Sequence, residues 1–266
     1  MKLAINFLLL ISFGHAFACD WKNEQDKFIS LSSATTYLMK ELGLLNKQVI
    51  AISKYHSIDV DQFSGEQWGG GNFLSQKKLR QHRSHIFFID ESRNLSMSVR
   101  RGKIRKSFSI KTSGLGPIQV NDLALKSLSP FIVNCEKQIT KLNLRVKRVQ
   151  ELIETAKFGR VLFFMGEIKE NKRLPNLLMV NDSFVKLLLS HRAIETFSSK
   201  LAYVNWSVKE MNKYQSFKKI GLVGKKRNKF VVPNKKGINI YDPLALLPGL
   251  SQILFIEKLI AHKSML

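Results

Sequence analysis

Between a short apolar run, Phe28-Ile29-Ser30-Leu31, and a helical pattern carried by Ala34, Leu38 and Leu42, the chain places Ser32, Ser33 and Thr35. Hydroxyls there do one of two things. They cap the helix by accepting from its first free N–H groups, or they meet a polar or anionic ligand at the positive end of the helix beside the strand ends. No constellation for covalent or hydrolytic chemistry accompanies them: the sequence has no G-x-S-x-G elbow, no H-E-x-x-H and no C-x-x-C. Gly69-Gly70-Gly71 lacks the spacing of a dinucleotide fingerprint. The six histidines are not spaced as metal ligands, and His82 and His85 share a segment with Arg80 and Arg83, which disfavours a bound cation. Nothing in the sequence argues for an enzyme, and the expectation is no catalytic residue, no metal centre and no cofactor.

The first residues read as an export signal. Lys2 supplies the positive start, Ala4 to Phe13 is mostly apolar, and Ala16-Phe17-Ala18 forms a small-x-small cleavage site, so residues 1–18 are expected to be removed. The apolar run is short for a membrane span. Cys19 follows at once, where a bacterial lipoprotein carries its lipidated cysteine, although Ala16 stands where that pattern usually has leucine. Simple cleavage and lipidation of Cys19 both stay open. The second cysteine is Cys135, and an oxidising compartment is compatible with a Cys19–Cys135 disulfide.

The formal net charge is +23 over 266 residues, and it is uneven. Residues 77–111 hold eleven basic and two acidic residues; the basic clusters read "KKLRQHR", "RRGKIRK" and, further on, "GKKRNK". Such clusters suit nucleic acid, but an exported protein rarely meets it. Anionic lipid, wall polymer, an acidic solute or simple solvation are the better readings.

These residues need a scaffold. Apolar runs at 28–31, 49–52, 86–89 and 108–110, then 161–165, 220–223, 230–232 and 238–240, are β-branched or aromatic and lie far enough apart for helical crossovers. That is the pattern of parallel α/β sheets. From Ile132 the apolar positions recur every three or four residues through Cys135, Ile139, Leu142, Val146, Val149, Ile153 and Ala156. With Ser129 as cap, Pro130 at the first turn and Gly159 as stop, this predicts one helix of roughly 40 Å. The expected architecture is an N-terminal lobe over 19–128, a spine helix over 129–159 and a C-terminal lobe over 160–266.

Several stretches, in order, resemble the helical-backbone class of periplasmic solute-binding proteins. These deliver iron chelates, haem or cobalamin to ABC importers. "FISLSSATTYLMKELGLLNKQVIAISKYH" resembles the family's opening strand, turn, helix and second strand. "WGGGNFLSQKKLRQHRSHIFFID" resembles its glycine turn, helix and third strand; "KFGRVLFFMGE" its exit from the spine. "NDSFVKLLLSHRAIETF" resembles the first helix of the second lobe, and "IYDPLALLPGLSQILFIEKLIAH" the closing loop and last helix. The resemblance implies two Rossmann-like parallel-sheet lobes joined by a single long helix, with solute in the cleft between them. Ligand contacts would then come from Ser32, Ser33, Thr35, Tyr55, His56 and Trp68 in the first lobe. In the second they would come from Glu167, Trp206, Tyr241 and Asp242. Aromatic faces suit flat macrocycles or aryl chelators, and Tyr or His suits iron.

The family also carries one glutamate per lobe that pairs with permease arginines. Glu210 matches in the second lobe, while Lys77 stands near the first-lobe position and reverses its charge. The reading is thus an exported periplasmic monomer, soluble or anchored through Cys19, that carries a small solute to an ABC permease of the inner membrane. The alternative is a non-transport scaffold of the same fold whose basic surface binds envelope polyanions.

Overall fold

The computed structural model describes residues 19–54, 63–69, 74–91, 93–169, 175–180, 182–201, 203–224 and 227–265. Along the first lobe run β1 (Asp20–Trp21), β2 (Phe28–Leu31), α1 (Ser33–Glu41), β3 (Val49–Ser53), β4 (Glu66–Trp68), α2 (Gln76–Gln81), β5 (Ile86–Asp90), α3 (Arg93–Arg101), β6 (Lys106–Ile110) and α4 (Pro117–Leu128). Five strands form one parallel sheet in the order β4-β3-β2-β5-β6. Strand alternation sorts its side chains. Phe28, Ile52, Phe88 and Ile110 face α1 and α4. Ile29, Leu31, Phe87 and Ile89 face Leu79 of α2 with Leu95 and Val99 of α3.

The spine is shorter than the apolar spacing predicts. Ser129–Phe131 forms a 3-10 turn, and Ile132–Val133 forms β7, which pairs antiparallel with β1. Asn134 turns the backbone into the left-handed region at φ 57°, and helix α5 (Glu136–Thr155) starts only after Cys135. Its 20 residues span about 30 Å. The helix ends at Ala156, and Gly159, at φ 76°, opens the next strand instead of stopping the helix. Cys19 and Cys135 are joined by a disulfide across 116 positions.

The second lobe continues with β8 (Gly159–Met165), β9 (Asn176–Met179), α6 (Ser183–Ser190), β10 (Ile194–Glu195), β11 (Tyr203–Trp206), α7 (Val208–Lys213), β12 (Lys218–Val223), β13 (Val231–Asn234), β14 (Gly237–Tyr241) and α8 (Leu250–Ala261). Its sheet runs β11-β9-β8-β12-β14-β13. The centre, β8-β12-β14, is parallel as expected, but β9, β11 and β13 pair antiparallel, so this sheet is mixed.

One apolar core crosses the boundary between lobes. It runs from Phe28 and Phe88 through Val146 and Ile153 of the spine to Phe163 and Phe255. Gly249 marks the contact. It sits at φ 82°, and a Cβ there would lie 3.1 Å from Ala34 Cβ and 3.3 Å from Val120 Cγ1, so the position needs glycine both for its backbone and for the close approach of α1 and α4.

Candidate functional site

The serines that open α1 sit at the edge where the parallel strands end, the usual ligand edge of an open α/β sheet. Ser32 is the cap: its Oγ accepts from Thr35 N at 3.4 Å. Behind it, Thr36 donates its hydroxyl to the Ser32 carbonyl at 2.8 Å and shares a 2.8 Å hydrogen bond with Ser30. The whole turn is buried. Among the described residues, Ser33 Oγ and Thr35 Oγ1 have no hydrogen-bond partner.

Asp90, the last residue of β5, closes over this turn. Ser33 N donates to its Oδ2 at 3.5 Å, while Oδ1 is buried without a partner among the described residues. Burial pushes the carboxyl up to about 6; the Ser32 hydroxyl and the Ser33 amide pull the other way without cancelling it. The group is thus harder to ionise in the folded chain than in the unfolded one. Its contribution to stability is full below the unfolded carboxylate value of 3.8 and is lost as pH rises through about 6. The loss approaches about 3 kcal/mol above that pH. Asp90→Asn is therefore expected to raise the melting temperature at pH 7.5 and to change it little at pH 3.5. Equal shifts at both pH values would show that the carboxyl is not desolvated.

A cavity of about 300 Å³ is lined from both lobes. Thr112, Ser113 and Gly114, between β6 and α4, form one wall. The other wall is Asp182 and Ser183 at the start of α6, Tyr203 of β11, Leu246, Pro248, and Gln252 of α8. Asp182 caps α6 through Oδ1, which accepts from Phe184 N at 2.9 Å, and its Oδ2 accepts from the Tyr203 hydroxyl at 2.5 Å. Burial, then the Asp182 charge and hydrogen bond, push the Tyr203 phenol well above its ordinary value, so it stays a donor. Ser183 Oγ and Gln252 Oε1 lie 2.9 Å apart. The loop before α4 and the first turns of α6 and α8 thus meet at one cavity.

Beside it, at the ends of β8 and β14, Tyr241 donates to Glu167 Oε1 at 2.8 Å and accepts from Arg227 at 2.7 Å. The Arg227 guanidinium also lies 4.7 Å from the ring centroid of Tyr241. Burial first, then Glu167, raise the phenol. A Cβ on Gly224, one residue past β12, would lie 3.5 Å from Leu246, a wall of the cavity. A second hollow, about 400 Å³, lies at the other end of α1, between Glu41 and Lys141, Leu142 and Arg145 of the spine. It is away from both strand edges, and its Arg145 is bound to Glu257 at 2.7 Å.

Several expected contacts are placed elsewhere. Trp68 is not in the wall of the inter-lobe cavity: it is 3% exposed and packs among Leu79, Phe87 and His82, its indole N–H donating to Glu66 at 2.9 Å, and it borders a separate hollow of about 140 Å³ with Gln67, Leu74, Ser75 and Lys78. A glycine run beside a tryptophan suggested a surface turn, but Trp68 ends β4 and its ring fills the gap under α2. Trp206 is likewise core, stacked on Tyr214 at 4.8 Å. Asp242 caps the following 3-10 turn and pairs with Lys258 at 2.8 Å. Glu210 closes a capping box, accepting from Ser207 N at 2.6 Å, which holds its carboxyl below the usual range. Lys77 is exposed on α2. Cys19 is fully buried with its sulfur in the disulfide. Tyr55 and His56 lie outside the described residues, as do residues 1–18. Asp90, Thr112, Ser113, Asp182, Tyr203, Arg227 and Gln252 are additions that sequence reasoning missed. The one legible signal was a carboxylate ending the apolar strand "IFFID".

No family model matches the sequence, and no curated protein matches it. Solved structures do match its fold. The periplasmic vitamin B12 binding protein BtuF of Vibrio cholerae superposes with a TM-score of 0.65 at 12% identity, over 90% of this chain and 97% of that one. A periplasmic heme binding protein from Pseudomonas aeruginosa gives 0.64 at 13% identity over 89% and 91%. The siderophore binding protein FhuD from Vibrio cholerae, bound to Fe3+-Desferal, gives 0.62 at 12% over 90% and 97%. The chain has the two-lobe, spine-helix fold of the helical-backbone periplasmic binding proteins. Among the described residues no helix is long and apolar enough to cross a membrane.

Proposed function

We propose that the protein is an exported binding protein that holds a small solute between its lobes and presents it to an ABC importer. The observation that carries this reading is the cavity lined by the loop Thr112–Gly114 of one lobe and by the first turns of two helices of the other. The fold supports it, since neighbours of that fold are binding proteins for vitamin B12, heme and a ferric siderophore. An iron chelate, haem or a cobalamin-like solute is the class we assign. Ser33 and Asp90 would meet it from one lobe. Tyr203, Tyr241, Glu167 and Arg227 would meet it from the other. The disulfide supports a soluble periplasmic form over a Cys19 lipid anchor. Glu210 and Lys77 are the proposed permease contacts, with Lys77 requiring a partner unlike an ordinary arginine pair.

The test is titration with haem, cobalamin, and ferric hydroxamate and catecholate chelates, read by tryptophan fluorescence. One class is expected to bind. Tyr203→Phe and Tyr241→Phe should each weaken it about tenfold, the worth of a charged hydrogen bond, while each also lowers the ligand-free melting point, since each removes a hydrogen bond made within the chain. Binding by none of the four, or indifference to both substitutions, would overturn the reading.

A further inference from the structure

The strongest charge anomaly lies at the far end of the first lobe. Helices α2 and α3 end at the edge where β5 and β6 begin, and their ends are drawn together. Arg105 N donates to the Arg83 carbonyl at 3.1 Å, and a Cβ on Gly102 would lie 2.9 Å from Leu79 Cβ. This convergence gathers Arg80, Arg83, Arg100, Arg101, Lys103 and Arg105, all exposed. None of the six has an ion pair among the described residues. The neighbouring loop 22–27 adds two cations and two carboxylates, hence no net charge.

Cations near a helix C-terminus relieve its free carbonyls, which accounts for Arg80, Arg100 and Arg101. It does not account for Arg83, Lys103 and Arg105, which lie beyond the helices and add only repulsion. Met97 shares the α3 face of Arg101, one turn earlier, and is 36% exposed. Guanidinium groups flanking an accessible thioether match a headgroup layer above acyl chains. Six cations spread over two helix ends and a turn outnumber what one free phosphate can meet, whereas a plane of phosphates meets several together.

We infer that this pole docks on an anionic phospholipid surface. It lies at the edge opposite Ser33 and Asp90, so docking leaves the inter-lobe cavity open to solution. The inference is independent of which solute the cavity takes.

Flotation with vesicles tests it. The protein should float with about 30% phosphatidylglycerol in phosphatidylcholine and stay behind with phosphatidylcholine alone, losing the interaction at roughly 0.5 M salt. Arg83→Gln, Arg101→Gln and Arg105→Gln together should lower the partition at least about tenfold. An equal change of charge on the spine side, Lys147→Gln, Arg148→Gln and Lys157→Gln, should lower it far less. Equal losses from both triples would reduce the effect to net charge and overturn the docking surface. So would retention on a soluble polyphosphate with no vesicle binding, or no preference for the anionic vesicles.

Discussion

A Cys19→Ala, Cys135→Ala variant is expected to lose about 3–4 kcal/mol of stability, the upper part of the usual range for a native disulfide. The reason is loop length. The bridge spans 116 positions, so cutting it returns a large loop-closure entropy to the unfolded chain. What remains is modest. The β1–β7 pairing joins only Asp20 to Val133 and Trp21 to Ile132, although Trp21 also stacks on Phe28 at 3.9 Å and donates to the Leu44 carbonyl at 3.3 Å. Urea unfolding of the parent with and without reductant, and of the variant, measures the effect. The reduced parent should match the variant. A loss under about 1 kcal/mol would mean that those contacts, not the covalent tie, hold the segment.

The second large effect belongs to the spine. Val146 is buried between lobes that share its core, alongside Leu142, Val149 and Ile153. Aspartate there would place a charge with no partner in apolar surroundings, costing about 3–5 kcal/mol. For a chain of this size that lowers the melting temperature by about 10 °C. Lys147→Asp, one residue on and exposed, should cost within about 0.5 kcal/mol. If Val146→Asp melts with the parent, α5 is not a buried strut.

The central strands were legible because they are continuous, apolar and β-branched, which suits a sheet buried on both faces. Strands β1, β7, β9, β10 and β11 were not: each has two to four residues, and pairing with a distant partner makes it a strand. The spine's start was misread because Ile132 and Cys135 continue the helical spacing, while Ile132 is claimed by Trp21 and Asn134 breaks the turn. The cap role of Ser32 could be read locally, since it depends on neighbours three residues away. Asp90 meeting Ser33, or Asp182 meeting Tyr203, depends on crossovers of 57 and 21 residues that no local pattern encodes. Arg227 was read as part of a basic surface cluster, and its second face, toward Tyr241, appears only once β12 and β14 lie side by side.

The contact at Gly249 has a mechanical consequence. Ala34 and Val120 on one side and α8 on the other are sealed around it in one apolar core. Prising the lobes apart there exposes hydrocarbon to water at about 25 cal/mol per Å². An opening of roughly 200 Å² would cost about 5 kcal/mol and leave the gaping state at about two molecules in ten thousand. A latch of that strength resists thermal yawning. On the proposed function, solute would enter past side chains at the rim, and the work of release would fall to a partner that grips both lobes and turns them against the latch.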